Sequence, residues 1–210
     1  MRRNRLFWIV VVSAVMVPLF LNGCGSSRQA RFYTLAAIQS PPAAVKQISV
    51  AEGPITVGIG PVEIPDYLDR PQVVIRTAEN EIVVSEYDRW GGPLKRDITR
   101  VVLEDLSVLL ASNQVSVVPW THGGILHCRV ALDVIRFDTT PGKEVLLRAK
   151  WTAFGQDGKT VAMVRESNIR EPLSSKDVST IVAAMSQALG KLSQEMANGI
   201  TAVLSAKPKG

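Results

Sequence analysis

Apolar and polar positions alternate with different periods along this chain, and each change of period marks an element. The N-terminus places Arg2, Arg3 and Arg5 ahead of an uncharged run from Leu6 through Phe20, followed by Leu21-Asn22-Gly23-Cys24. That is the order of a basic n-region, an apolar h-region and a cleavage site. A spanning helix needs about 20 consecutive apolar residues, whereas this run is shorter, carries Pro18 and ends in small and polar residues. Residues 1–23 therefore read as a removable signal peptide.

The pattern then turns to strands. RFYTLAA, residues 31–37, predicts a short first strand, and an Ala-, Pro- and Ser-rich segment from Ser40 to Gly53, opened by Pro41-Pro42, reads as a loop. Ile55, Val57 and Ile59 alternate with small residues, predicting a half-buried strand over 55–64. Pro65 and Pro71 bracket the connection PDYLDRP, after which the runs 73–77 and 81–87, separated by Ala78-Glu79-Asn80, predict a hairpin.

From Pro93 to Ala111 the period becomes helical, with Leu94, Ile98, Val101, Val102, Leu106 and Leu109 on one stripe, Pro93 suited to the first turn and Asn113 closing the helix. A short strand is expected at 115–120. Three longer ones, over 126–137, 144–156 and 160–170, are joined by Pro141-Gly142 and Asp157-Gly158, the signals of an antiparallel meander. The last helix should start at a cap near Ser174 or Ser175 with Asp177 in its first turn. Its apolar stripe runs through Val178, Ile181, Val182, Met185, Leu189, Leu192, Met196, Ile200 and Val203. The fold class that follows is α/β of the α+β kind: a single mixed β-sheet domain over 31–206 with two main helices packed on it.

Charge and cysteine content change the picture in two ways. The formal charge of +5 includes the three arginines of the signal, so cleavage lowers it to about +2, and a nucleic-acid role loses its main support. The two cysteines look like a disulfide pair until Cys24 is placed at the cleavage site, which leaves Cys128 without a partner. Cys128 lies in the alternating run LHCRVALDV and reads as a small buried hydrophobe.

Catalytic chemistry finds little material. The only histidines are His122 and His127. His122-Gly123-Gly124 has no G-x-S-x-G nucleophile elbow to accompany it and reads as a turn. Zinc would need three or four ligands, and the adjacent His127 and Cys128 point to opposite faces of a strand. Gly58-Ile59-Gly60 lacks the rest of a dinucleotide fingerprint, and there is no phosphate loop. Asp66 and Asp69 share a loop with Arg70, where a solvated or ion-paired role is the simpler one. The expectation is a protein that is no enzyme and holds neither cofactor nor metal.

Leu21-Asn22-Gly23-Cys24 resembles the bacterial lipobox, in which a small residue precedes a cysteine that receives diacylglycerol, with Asn22 departing from the usual residue at its position. The resemblance implies lipid attachment at Cys24, with residues 24–30 as a polar tether. One acyl chain holds a protein marginally and two or three hold it stably. Gly25 stands where an aspartate would favour inner-membrane retention, so the implied location is the periplasmic face of the outer membrane.

The string VGIGPVEIPDYLDRPQVVIR, followed by Arg89-Trp90 and PLKRDITRVVLEDL from Pro93, resembles the ABC-type transport auxiliary lipoprotein family, the PqiC-like component of MCE-type intermembrane transport systems. YLDRPQ and RW-x-x-PL are the specific part, with Gly91-Gly92 departing from the small and acidic pair expected between them. The resemblance implies a mixed αβ sandwich and a lipoprotein that docks the far end of a periplasm-spanning complex of an MCE-domain protein and an inner-membrane permease. Homo-oligomerisation is open. Tyr67, Leu68 and Arg70, held between two prolines, suit a partner contact. Arg89 and Trp90 are weaker candidates, Trp90 for packing under the helix and Arg89 for pairing with Asp88, Glu86 or a helix acid. If the loop only makes contacts, Tyr67→Ala with Arg70→Ala should leave stability unchanged. Two other classes compete: an envelope scaffold or activator of a cell-wall synthase, and a periplasmic hydrolase.

Cys24→Ser should block acylation and leave an uncleaved or mislocalised precursor with its domain intact. Radiolabelled fatty acid incorporated by that variant, or a Cys24–Cys128 disulfide found by mass spectrometry, would refute the anchor.

Overall fold

The computed structural model describes residues 28–39, 54–111, 114–140 and 143–206. The signal peptide, Cys24, the Ser40–Gly53 segment, Asn113 and Pro141-Gly142 lie outside the described residues.

Eight strands and two helices follow in order: β1 (Arg31–Tyr33), β2 (Ile55–Glu63), β3 (Gln72–Ala78), β4 (Glu81–Trp90), α1 (Leu94–Leu110), β5 (Val115–Pro119), β6 (Cys128–Thr140), β7 (Glu144–Phe154), β8 (Val161–Pro172) and α2 (Val178–Ser205). The α+β class and both main helices stand as expected, but the strands divide between two sheets. One is five-stranded in the order β5-β2-β6-β7-β8, and the other is three-stranded in the order β1-β4-β3. The larger sheet is parallel across β5-β2-β6 and antiparallel through the meander β6-β7-β8. In the smaller one, the β3–β4 hairpin accepts β1 as a parallel edge strand. That pairing of Arg31, Phe32 and Tyr33 with Asp88, Arg89 and Trp90 is why β4 runs past the expected end at Tyr87.

Strict alternation along β7 puts Val145, Leu147, Ala149, Trp151 and Ala153 on one buried face of the larger sheet. Both helices cover that sheet, α1 over β2 and β5 and α2 chiefly over β7 and β8, and they pack against each other. The α1 stripe of Leu94, Ile98, Val101, Val102, Leu106 and Leu109 is buried as the periodicity requires. Pro93 occupies the cap position of α1 instead of its first turn. The last helix begins at Val178, later than expected, with Asp177 as an extended cap residue whose carboxylate accepts the Ser175 hydroxyl at 2.7 Å and caps no helix N–H. In β6 the alternation of Cys128, Val130, Leu132 and Val134 breaks at a register shift before Arg136. Beyond it Phe137 and Asp138 are both buried: β3 covers the second face there.

The expected first strand is shorter than its apolar run. After Tyr33 the chain leaves the sheet as an extended strap across both helices. The Leu35 N–H donates to Asp97 Oδ2 at 2.6 Å, Ala36 N–H to Ser186 Oγ at 3.1 Å and Ile38 N–H to Asp105 Oδ1 at 2.8 Å. Arg100 returns a bond to the Leu35 carbonyl at 2.6 Å. Side chains of α1 and α2 thus replace a strand ladder as partners for this backbone, and Leu35 is buried beneath it.

Gly190 and Gly199 interrupt the interior of α2, each at a cost of about 1 kcal/mol relative to alanine. Close approach explains both: a Cβ would lie 2.7 Å from Ile38 Cγ2 at Gly190, and 2.2 Å from Trp151 Cη2 at Gly199. Gly199→Ala should therefore lower stability by about 1–3 kcal/mol through overpacking, although its helix propensity improves. Urea denaturation checks the sign.

Candidate functional site

The two sequence motifs that stood out, PDYLDRP and RWGGP, meet in space. Pro65–Pro71 folds as consecutive tight turns, with Leu68 N–H donating to the Pro65 carbonyl at 2.9 Å and Arg70 N–H to the Leu68 carbonyl at 2.8 Å. Trp90 N–H then donates to the Pro71 carbonyl at 2.7 Å, and Gly91 N–H to the Tyr33 carbonyl at 2.7 Å. Between the loop and the start of α1 lies a cavity of about 320 Å³ lined by Asp69, Arg70, Pro71, Trp90, Gly91, Gly92 and Pro93. Its walls offer prolines and an indole edge beside one guanidinium, and Arg70 Nε is buried with no protein partner among the described residues.

The five candidate contact residues separate. Arg70 and Trp90 share the cavity. Leu68 and Trp90 are core side chains, 3% and 5% exposed, so most of their surface is already spent inside the domain. Arg89 is exposed on the opposite face of β4, and Asp88, its expected partner, is taken by Arg31 at 2.8 Å, Ser85 at 2.8 Å and Tyr33 at 3.1 Å. Burial pushes the Asp88 carboxyl up, but these hydrogen bonds outweigh it and hold the pKa below the ordinary carboxylate value.

Tyr67 turns toward the core. Its hydroxyl donates to Asp138 Oδ2 at 3.1 Å, an oxygen that also receives Arg76 Nε at 2.7 Å, while Oδ1 receives Arg136 Nε at 2.8 Å. Asp138 is fully buried. The Arg76 guanidinium stands 5.7 Å from the Tyr67 ring centroid, and burial and the adjacent carboxylate raise the Tyr67 pKa, keeping the phenol protonated. The loop therefore anchors to β3 and β6 through Tyr67, and the expectation that Tyr67→Ala would leave stability untouched is corrected: it would strip a hydrogen bond from a buried charge. Sequence reasoning missed Asp138, Arg76 and Arg136, which no local pattern links. Asp105 carried a legible signal, being an acid inside the apolar stripe of α1.

The remaining candidates for chemistry do not converge. His127 Nδ1 accepts the Thr56 N–H at 3.1 Å, a backbone-pairing role, and His122 sits in an exposed turn. Cys128 is buried, and desolvation pushes its thiol up to about 11. No group of three His, Cys, Asp or Glu placed to hold a metal occurs among the described residues.

A family model for the ABC-type transport auxiliary lipoprotein component matches residues 33–197, from β1 through most of α2. The chain belongs to that family. Both halves of the cavity fall inside the matched span. The intermembrane transport lipoprotein PqiC of Escherichia coli K12 is 28% identical over 104 residues, 49% of this chain and 51% of that protein, and the Shigella flexneri PqiC matches equally. The chain thus spans about half the length of the curated relatives it matches. A solved structure from Xanthomonas campestris superposes with a TM-score of 0.67 at 19% identity, covering 83% of this chain and 96% of the other. That likeness shows the fold, which this member of the auxiliary lipoprotein family shares.

In this lipoprotein domain, Tyr67→Phe should cost about 1 kcal/mol, because Asp138 keeps its two arginines, whereas Asp138→Ala should cost about 3–5 kcal/mol by leaving both guanidiniums without their buried partner. Equal effects in chemical denaturation would show that the carboxylate does not organise the loop.

Proposed function

We propose that this protein is a non-enzymatic accessory of an MCE-type intermembrane lipid transport system. It is anchored through Cys24 to the periplasmic face of the outer membrane and docks the periplasm-spanning component. Membership of an auxiliary lipoprotein family supports the transport role, and the likeness to PqiC, named for intermembrane transport, supports the class of system. The single observation that carries docking is the cavity where the two motifs meet. Its rim combines a rigid proline-bracketed turn with an arginine and an indole, and little entropy is lost when such a surface is immobilised. Aromatic and arginine side chains in semi-enclosed pockets are the usual anchors of protein contacts.

The reading assigns the cavity to contact, with the half-buried Arg70 and the exposed Asp69 as its charged groups and Leu68, Trp90 and Tyr67 as the frame that fixes it. The partners of that reading are an MCE-domain protein and an inner-membrane permease of the same system. Arg70→Ala, unlike any change at Tyr67, removes a cavity group that has no hydrogen bond at Nε to lose. It should melt like the parent while weakening capture of the co-expressed MCE protein by about 2 kcal/mol or more, the scale of a hot spot. Undiminished capture would place the docking surface elsewhere.

A further inference from the structure

The smaller sheet has an outward face that neither the core nor the cavity uses. Register pairs Phe32 with Arg89, while the flanking pairs Arg31–Asp88 and Tyr33–Trp90 turn to the other side, where Asp88 and Trp90 are buried. Phe32 is 67% exposed although it is a large aromatic in a strand. Tyr87, two positions before Arg89 on β4, is half-buried, and the Arg28 guanidinium stands over its ring at 5.7 Å. Two aromatics and two arginines therefore gather where the chain enters the domain, Phe32 and Arg89 as a registered pair and Arg28 over Tyr87.

Covalent reach turns this arrangement into a constraint. Only four residue steps separate Arg28 from Cys24, and an extended chain spans at most about 3.3–3.6 Å per step. With acyl chains on Cys24, Arg28 cannot stand farther than about 14 Å from the lipidated residue, which keeps the side of the domain that the chain enters close to the lipid surface. The geometry points to a second, peripheral contact with the bilayer: Phe32 and Tyr87 seat at the headgroup level, where amphipathic rings concentrate, while Arg28 and Arg89 meet anionic headgroups. This inference rests on the lipid anchor at Cys24. It orients the molecule, directing the outward face of β1 and β4 to the membrane and leaving the cavity on the opposite side of β4 to face a partner.

The test uses the full-length protein, acylated in cells and reconstituted in vesicles of phosphatidylethanolamine and phosphatidylglycerol. Phe32→Cys or Arg89→Cys is labelled with an environment-sensitive nitrobenzoxadiazole, buried Cys128 being inert in the folded state. Ile125, 80% exposed in the β5–β6 connection, gives the reference as Ile125→Cys. Nitroxide-bearing lipids should quench the labels at 32 and 89 several-fold more than the label at 125. Labels at 32 and 89 no more quenched than the reference, on protein whose Cys24 acylation mass spectrometry confirms, would overturn the membrane contact and leave the anchor standing. A blue-shifted but unquenched label would overturn it in favour of a second copy of the chain covering the face. Absence of acyl groups on Cys24 would remove the anchor and this inference together.

Discussion

The buried carboxylate of Asp138 is the constraint around which the two-sheet arrangement is organised. An isolated carboxylate in this position would cost several kcal/mol of lost hydration. It is tolerated because a phenol and two guanidiniums from three separate segments converge on it. Arg76 belongs to the smaller sheet, Arg136 and Asp138 to the larger, and Tyr67 to the loop between β2 and β3. Satisfying one charge thus fixes the distance between the sheets and the position of the loop at once. The arginine side chains, 17% and 36% exposed, keep part of their own hydration, so the cluster buries one charge fully instead of three.

A second set of polar groups does the same for the helices. Asp97 and Asp105 on α1 and Ser186 on α2 accept successive backbone donors of the strap after β1. Burial raises the Asp105 pKa while the Ile38 N–H pulls it down, the balance expected of an acid placed on an apolar face to satisfy a backbone. Residues 31–38 are thereby fastened to both helices and to the edge of the smaller sheet.

These two devices leave the molecule with faces of different character. The larger sheet is spent on the helices. The turn between Pro65 and Pro71 and the turn before α1 form a small cavity with one guanidinium and one carboxylate. The outward side of β1 and β4 carries aromatics and arginines. Among the described residues, none of these surfaces brings an acid, a base and a nucleophile together.

Local pattern determined much of this. The apolar stripes of α1 and α2, the β3–β4 hairpin and the β6-β7-β8 meander follow from periods of 3.6 and 2 and from turn residues, because each depends on neighbours close in sequence. The YLDRP and RW motifs identified the family and, through it, the region of the site. What only the tertiary structure decided depends on contacts between residues far apart in the chain. The strap ended β1 at Tyr33, because side-chain acceptors on two helices outcompeted a sheet ladder that RFYTLAA could have joined. Tyr67 became a structural donor because Asp138, 71 positions away, needed one. Arg89 and Trp90 took opposite faces because β4 continues through both, paired with β1 and β3. A buried charge draws its partners from wherever the fold can bring them, and no local period records that demand.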